Sequence, residues 1–591
     1  MKLPGIPVSG GIVIGEVFRY EPFQAAPEIS PIEKADVERN IEIYVEARSA
    51  ARREMEEAQN RVMERAPDKA GILSAHMEIL MDPVIDEEVR GMVCSDLLSA
   101  DAAIASVFDK YSALLRKSKS ASMRERASDL QDVKNRLLRC WAGVGERNLS
   151  SLEKPVIVVC DDLYPSDTVS IDRDNVLGII TQVGGTTSHT AIIARGYEIP
   201  AVLGVQDCMS LIRDGDTVVL DAENGEILLA PGDDEREAYA AKRESMSALS
   251  MEMRTWRGVE PVTRDGRRIW VGMNISGVSD YELAGAVCAD GVGLFRTEFI
   301  YLGSDRIPDE DEQYRIYRKA LDAFRGKPLI MRTLDIGGDK QLERFNLQSE
   351  NNPFLGLRGL RLCFARPELF GAQIRAALRA SAHGDLRLML PMVSSLDEIQ
   401  RAKEFIAEQG AKLDADGIAW NCCIKIGIMV EIPSIALIAD LVAPYVDFVS
   451  IGTNDLCQYL NAADRLNPAV ESCYQEYHPA MFRILGMIAR GFAGADRTVG
   501  ICGEIGGDPL AIPALLGLGI EKFSMCSASI AAAKRAICGL DMSDAVSLAQ
   551  EVQQMKTESE VRARLQAFAD NQPTLRGILE EGTSCIQKKF T

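Results

Sequence analysis

No two cysteines of this chain stand in a C-x-x-C arrangement. The 14 cysteines are scattered through 591 residues, which excludes a zinc ribbon or a thioredoxin-type motif as the basis of function. Free thiols in an enzyme-sized chain suit a reducing cytoplasm. Long apolar runs are missing too. None approaches the roughly 18 residues of a membrane span, and Met1-Lys2-Leu3-Pro4-Gly5 leads into no apolar stretch of the signal-peptide kind. The expected protein is soluble and cytoplasmic. A basic excess is absent: the net charge of −21 argues against nucleic acid or an anionic membrane as the main partner. It leaves room for a basic protein partner. Histidine is scarce, with four residues in all, so any imidazole chemistry rests on few candidates.

What is present is ordinary in bulk. The chain is 47% hydrophobic and 26% charged, as soluble globular proteins are, and its length implies two to four domains. One of the four histidines has an unusual setting. A β-rich apolar run ends in Gly184-Gly185-Thr186-Thr187-Ser188-His189-Thr190, and an amphipathic helical pattern follows. That is a strand–turn–helix junction with an imidazole at its tip. Paired glycines let backbone approach a ligand closely, and helix N-terminal amides favour a phosphate. Neutral imidazole, with an unperturbed pKa of about 6.5, is a competent nucleophile near neutral pH. Taken alone, the pattern also fits a capped helix with a partly buried histidine, and the rest of the chain has to decide.

Residues 5–20 alternate β-branched residues with glycines and read as a short strand pair. From about residue 31, Val37, Ile41, Tyr44, Ala51, Met55, Ala58 and Val62 keep a 4/3 spacing broken only at Arg48, the seam of an amphipathic helix. Pro67 ends it, and helical patterns resume over 70–95 and 101–144. Strand texture returns at 155–159 and continues to 218–220 and 225–229. The reading is a mixed α/β domain made of residues 1–24 and 145–231, with a helical bundle, 25–144, inserted in it. Residues 234–256 lack proline and glycine; as a helix they would span about 35 Å. We assign 232–258 as a helical linker. Beyond it, candidate strands lie near 268–273, 290–295, 328–334, 386–392, 424–430, 447–452, 497–502 and 520–524, with helical stretches between them. Eight strands in about 260 residues match a (β/α)8 barrel, here 259–575, followed by a tail, 576–591. A doubly wound sheet is the runner-up, weakened by the absence of a glycine-rich dinucleotide fingerprint after the first strand.

Polar residues gather where these strands end, the face on which such barrels keep their active sites. They are Arg296-Thr297-Glu298, Arg332-Thr333-Leu334-Asp335, Glu431, Asn454-Asp455 with Arg465 ten residues on, and Cys502-Gly503-Glu504. A single charge after a strand is usually a solvated loop residue. Five strand ends repeating the pattern point to a ligand, because converging charges are costly otherwise. Arginines make a fork-like cradle for carboxylate and phosphate oxygens. Glu431 and Asp455 are hard donors that suit Mg²⁺. A cysteine, with an unperturbed pKa of about 8.5, stays protonated at pH 7 and can serve as an acid, although Cys502 also reads as a small buried hydrophobe. The sum is a metal-assisted site for a small phosphorylated carboxylic acid.

The runs GGTTSHTAIIARGYEIPAVLG, GVGLFRTEF, RTLDIGGDK, NPFLGLRGLRL, GIMVEIPS, IGTNDLCQY and ICGE closely resemble, in order and spacing, the motifs of enzyme I of the bacterial phosphotransferase system, a family of PEP-utilising enzymes. The resemblance covers essentially the whole chain. It implies an α/β multidomain protein, with a swivelling phosphohistidine domain carrying the helical insertion, followed by a C-terminal (β/α)8 TIM barrel. It implies autophosphorylation of His189 by phosphoenolpyruvate (PEP) with Mg²⁺, release of pyruvate, and transfer to a histidine of the carrier protein HPr docked on the insertion. Carried over residue by residue, it places Arg296, Arg332, Asn454, Asp455 and Arg465 around PEP and Glu431 and Asp455 on the metal. It makes Cys502 the acid that protonates the enolate, and implies a homodimer through the barrel. Thr168 is expected to set the imidazole tautomer. Thr186 departs from the basic residue many relatives carry. His76 and His383, within helical stretches, are read as structural, and His478 as capping or positioning a helix before Pro479. Related dikinases and synthases add an ATP-grasp domain, for which the helix-rich first 150 residues are too few, and a nitrogen-related branch adds a sensory domain for which there is no room. The remaining alternative is a regulatory phospho-relay with a decayed barrel, and the intact set of charged strand-end residues argues against decay.

Overall fold

A computed structural model describes residues 1–21, 31–65, 70–116, 121–144, 154–163, 175–185, 188–197, 199–279, 285–302, 306–337 and 350–586, with single positions between. The chain divides into two compact units, Met1–Ser247 with Ser584–Thr591, and Ala248–Thr583. Among the described residues no helix is long and apolar enough to cross a membrane.

The first unit is built on eight strands: β1 (Lys2–Pro4), β2 (Ile6–Ser9), β3 (Ile12–Arg19), β4 (Val156–Cys160), β5 (Val176–Thr181), β6 (Ala201–Leu203), β7 (Thr217–Asp221) and β8 (Glu226–Leu229). Their order is β1-β8-β7-β3-β4-β5-β6-β2. β3 to β6 are parallel, and β1, β8, β7 and β2 join antiparallel. All five residues of β4, Val-Ile-Val-Val-Cys, are buried, as suits a strand covered on both faces. The N-terminal strands therefore do not form the pair that their alternation suggested. β1 and β2 sit at the two ends of the sheet order, yet only Gly5 separates them in sequence. The two ends of the sheet therefore come together at Gly5.

Among the described residues, five α-helices fall between β3 and β4: Val37–Arg65, Ala70–Leu80, Pro83–Ser95, Ala100–Arg116 and Ala121–Trp141. Tyr44, Ala47, Ala51 and Met55 of the first pack with Val89, Val93, Ile104, Phe108, Val133 and Leu137. At the apparent break in the seam, Ala47 takes the core position. Arg48 sits beside it, mostly buried, donating from Nε to Leu80 O (2.9 Å) and pairing with Asp86 (2.8 Å). Pro67 lies outside the described residues. Helix Asp233–Arg257 opens with Asp233, Asp234 and Glu235, which complement the helix dipole. It spans the linker read from the sequence.

In the second unit, β9 (Trp270–Ile275), β10 (Val292–Arg296), β11 (Leu329–Arg332), β12 (Leu386–Leu390), β13 (Ile426–Val430), β14 (Val449–Ile451), β15 (Val499–Ile501) and β16 (Lys522–Met525) form a closed parallel barrel in chain order. The eight predicted strands are these eight. Leu294, Ile330, Met389, Met429, Phe448 and Cys502 cluster together inside. Their strand neighbours Phe295, Met331, Leu388, Leu390, Ile428, Val430, Val449 and Ile501 belong to the outer core beneath the helices. This period of two is what a strand imposes. It carries each strand's last residues to one rim.

A Cβ on Gly5 would lie 2.5 Å from Val202 Cγ1 and 2.6 Å from Val205 Cγ2, and its N–H donates to Gly225 O (2.8 Å). Gly5→Ala is expected to destabilise the first unit by about 1–3 kcal/mol through overpacking, seen as an earlier urea transition. An unchanged transition would mean that the two edges need not meet closely.

Candidate active site

In the first unit, β5 ends at Thr181 and helix His189–Tyr197 begins at the histidine itself. Gly184 turns the chain with φ +110°, a conformation glycine adopts freely. Ser188 accepts from the Ala191 N–H (3.2 Å) and so caps the helix. Thr190 Oγ1 donates to Asp162 (3.2 Å), and Arg195 Nε donates to Val8 O (2.9 Å). Ala191 and Ala194 pack into the core with Val8, Ile179 and Ala201. The helix is therefore anchored at its cap, its first turn and its last turn, which fixes the backbone that carries His189. Thr168 and Thr186 lie outside the described residues.

In the second unit, the strand ends gather charge out of water. Arg296 and Arg332 are register partners on β10 and β11. Arg332, 5% exposed, pairs with Glu298 and with Asp335 (3.0 Å). Buried Gln373 braces both strands, taking the Leu334 N–H on Oε1 (2.8 Å) and donating to Thr297 Oγ1 (3.0 Å), which in turn donates to Arg332 O (2.8 Å). Asp455 lies in the first turn of helix Thr453–Asn461. Glu431, fully buried, follows β13, and its Oε1 accepts the Met392 N–H (2.6 Å). Cys502 follows β15, and its Sγ lies 3.6 Å from Ile451 O. Asn454 Oδ1 accepts the Glu504 N–H (3.0 Å). Arg465 is half-buried four residues past that helix, with its N–H on Gln458 Oε1 (3.2 Å).

The residue holding this group together is Arg358, 1% exposed. It donates to both oxygens of Asp335 (2.9 and 3.0 Å) and to both of Asp455 (2.9 and 3.2 Å). One guanidinium fork is shared by two carboxylates. Sequence reasoning quoted its run, NPFLGLRGLRL, without assigning it a role. The available signal was a pair of arginines, Arg358 and Arg361, in an otherwise apolar run, where solvated charge is out of place; the pattern did not say which of the two is buried. Asp335 and Glu298 were likewise quoted without a role.

Burial alone would lower the pKa of Arg332 and Arg358, but their carboxylate partners outweigh it and hold both charged. Glu431 is pushed up to about 8 by burial and by the nearby Asp455 and Asp335. Two guanidiniums thus face four carboxyls, an imbalance costly to keep dry. Among the described residues Glu431 Oε2 has no hydrogen-bond partner, and each Asp455 oxygen keeps a lone pair beyond its bond to Arg358. These hard donors fit a divalent cation. Among the described residues no group of three or more His, Cys, Asp or Glu side chains is arranged to hold a metal, but Mg²⁺ needs only one or two carboxylates when substrate oxygens complete the shell. Burial pushes the Cys502 thiol up to about 11, partly opposed by a Ser450 hydrogen bond and by Arg332. It stays protonated.

The other histidines are accounted for locally. His76 is buried beside Asp129 (3.3 Å), and His478 Nδ1 accepts the Ala480 N–H (3.1 Å), capping helix Pro479–Ala493. His383 departs from the reading. It lies in the turn past helix Pro367–Ser381, exposed, with Nε2 3.0 Å from Tyr314 Oη.

The fold and the rim define an α/β-barrel protein whose charged strand ends suit an anionic ligand. Three family descriptions match in succession: PEP-utilising enzyme, N-terminal, over 4–126; mobile domain over 152–225; and PEP-binding domain over 250–542. The phosphoenolpyruvate-protein phosphotransferase of Bacillus subtilis is 39% identical over 95% of this chain and 98% of its own. That of Staphylococcus carnosus is 37% identical over 96% and 99%. A solved structure described as enzyme I (nEIt) matches 42% of this chain and 99% of its own at 36% identity and a TM-score of 0.39, a likeness on which nothing below depends. The chain belongs to the phosphoenolpyruvate-protein phosphotransferase family.

Two outcomes follow from this geometry. Arg358→Met leaves Asp335 and Asp455 buried against each other and should destabilise the barrel by about 3–5 kcal/mol, with Arg358→Lys recovering part. An unshifted denaturation midpoint for Arg358→Met would contradict the shared fork. Iodoacetamide should alkylate Cys502 slowly at pH 7.5, with the rate still rising towards pH 11 because only thiolate reacts. Peptide mapping that finds a rate plateau near pH 8 would contradict the raised pKa.

Proposed function

We propose that this transferase phosphorylates itself on His189 with phosphoenolpyruvate, releases pyruvate, and passes the phosphoryl group to a histidine of an HPr-like carrier protein. This would be the first step of a sugar phosphotransferase system. The reading rests on one observation above others: a buried arginine–carboxyl cluster at the barrel rim with an unpartnered oxygen on Glu431, in a chain of this family. Arg296, Arg332 and Arg465 cradle the phosphate and carboxylate oxygens, with Asn454 and Asp455 beside them. Glu431 and Asp455 would hold Mg²⁺, which when bound would supply positive charge to offset that of the phosphate. Nε2 of His189 takes the phosphoryl group as the bond to the enol oxygen breaks. The transition state is loose, so positioning and charge neutralisation do most of the work. The Cys502 thiol then gives its proton to the enolate carbon, pyruvate leaves, and water reprotonates the thiolate.

We assign residues 1–24 with 145–231 to the swivelling phosphohistidine domain, 25–144 to carrier binding, 232–258 to the linker, 259–575 to the barrel and 576–591 to the tail. Every strand of the first sheet falls inside the first of these assignments, which supports it. We also assign a cytoplasmic location and a homodimer through the barrel. Leu437, Leu441 and Tyr445 expose apolar surface after β13, as an interface would. A purely regulatory relay has less support, since the charged rim is complete.

Cys502→Ala separates the two halves of the reaction. It should reduce pyruvate formation by about 10²–10⁴-fold, the usual contribution of a positioned acid, while phosphoenolpyruvate affinity measured by calorimetry stays within a few-fold. Pyruvate formation at the wild-type rate would remove Cys502 from the mechanism.

A further inference from the structure

The turn Asn421–Ile424 precedes β13 at the barrel end opposite Glu431, and carries two adjacent cysteines that the reaction does not use. Both are exposed, and their sulfurs lie 3.9 Å apart. Neighbouring residues in an extended strand point to opposite faces; here a turn, closed by the Ile424 N–H on Asn421 O (3.1 Å), brings both thiols together. The turn is pinned. Asn421 Oδ1 accepts the Cys423 N–H (3.0 Å), its own N–H donates to Ser381 Oγ (3.0 Å), and Trp420 Nε1 donates to Asp414 (2.9 Å). The Trp420 ring fills the space over Gly410, where a Cβ would come within 2.5 Å of it.

The separation of the sulfurs discriminates between two chemistries. A direct disulfide needs them at about 2.05 Å, nearly 2 Å closer, in a turn held from three sides. A central atom bonded to both at about 2.3 Å with tetrahedral angles, as in zinc–thiolate centres, spans about 3.8 Å. The spacing present is close to that; pyramidal trivalent arsenic, with narrower angles, needs the sulfurs about 0.5 Å closer, a small side-chain rotation against the nearly 2 Å that a disulfide requires.

We propose that Cys422 and Cys423 form an exposed dithiol site that takes a thiophilic bridging centre, of which trivalent arsenic is the simplest. With phenylarsine oxide, each thiol gives up its proton and two arsenic–sulfur bonds form. The arsenic–oxygen double bond breaks, and the oxygen leaves with both protons as water. No element changes oxidation state.

The test uses the full-length, reduced protein with one equivalent of phenylarsine oxide, followed by intact mass and peptide mapping. The adduct should map to the peptide carrying Cys422 and Cys423 and resist a monothiol but yield to a dithiol competitor. Cys422→Ser and Cys423→Ser should each weaken capture by about 10²–10⁴-fold, because the second bond gains from effective concentration. Cys473→Ser, at another exposed cysteine, should change nothing. An adduct that persists in both serine variants, or that a monothiol removes, would overturn the proposal. So would ready closure to a Cys422–Cys423 disulfide with glutathione disulfide.

Discussion

The barrel rim depends on keeping two guanidinium groups dry. Arg332 and Arg358 are nearly without solvent, and each is held charged only because carboxylates sit within hydrogen-bond distance. A charge removed from water costs several kcal/mol unless paired, so these positions are mutually conditional. Arg358 fixes Asp335 and Asp455 together, Asp335 fixes Arg332, and Arg332 reaches Glu298. Glu431 has no guanidinium of its own, and burial beside Asp455 and Asp335 pushes its carboxyl up to about 8. Evolution has little reason to retain such an arrangement for stability alone, since an apolar replacement is often as stable. The function proposed above would account for it, because phosphate and carboxylate oxygens would meet these arginines.

The fold supplies that constraint by simple periodicity. Alternation along each barrel strand sends Leu294, Ile330, Met389, Met429 and Phe448 inward and their neighbours outward. The residue at the end of each strand is then delivered to the rim. Gln373, reaching from helix Pro367–Ser381 to two strand ends, shows how the outer layer locks those positions. In the first unit the same economy appears in another form, with a sheet whose two ends meet at Gly5 and a helix whose first residue is the histidine.

Much of this was legible from local pattern. Eight apolar runs at barrel spacing, the glycine–histidine junction and the 4/3 seam of the first long helix each express a period that one short window contains. Long-range pairing was not legible. The strands before residue 20 alternate like a hairpin, yet their partners lie beyond residue 155 and past residue 200, and nothing in the window specifies that. Arg48 looked like a gap in a seam because pattern reading could not see that Ala47 would rotate in. Arg358 escaped assignment for a related reason. Its role is set by Asp335, 23 residues before it, and Asp455, 97 residues after it, and only folding brings those carboxylates to one guanidinium.

The central claim is that phosphoryl chemistry at the rim ends on one imidazole. The direct measurement is incubation with radiolabelled phosphoenolpyruvate and Mg²⁺, comparing wild type with His189→Ala. Acid-labile, alkali-stable label confined to the wild-type peptide that contains His189 is the result this account requires. Label that persists in His189→Ala, or none on either protein, would contradict it.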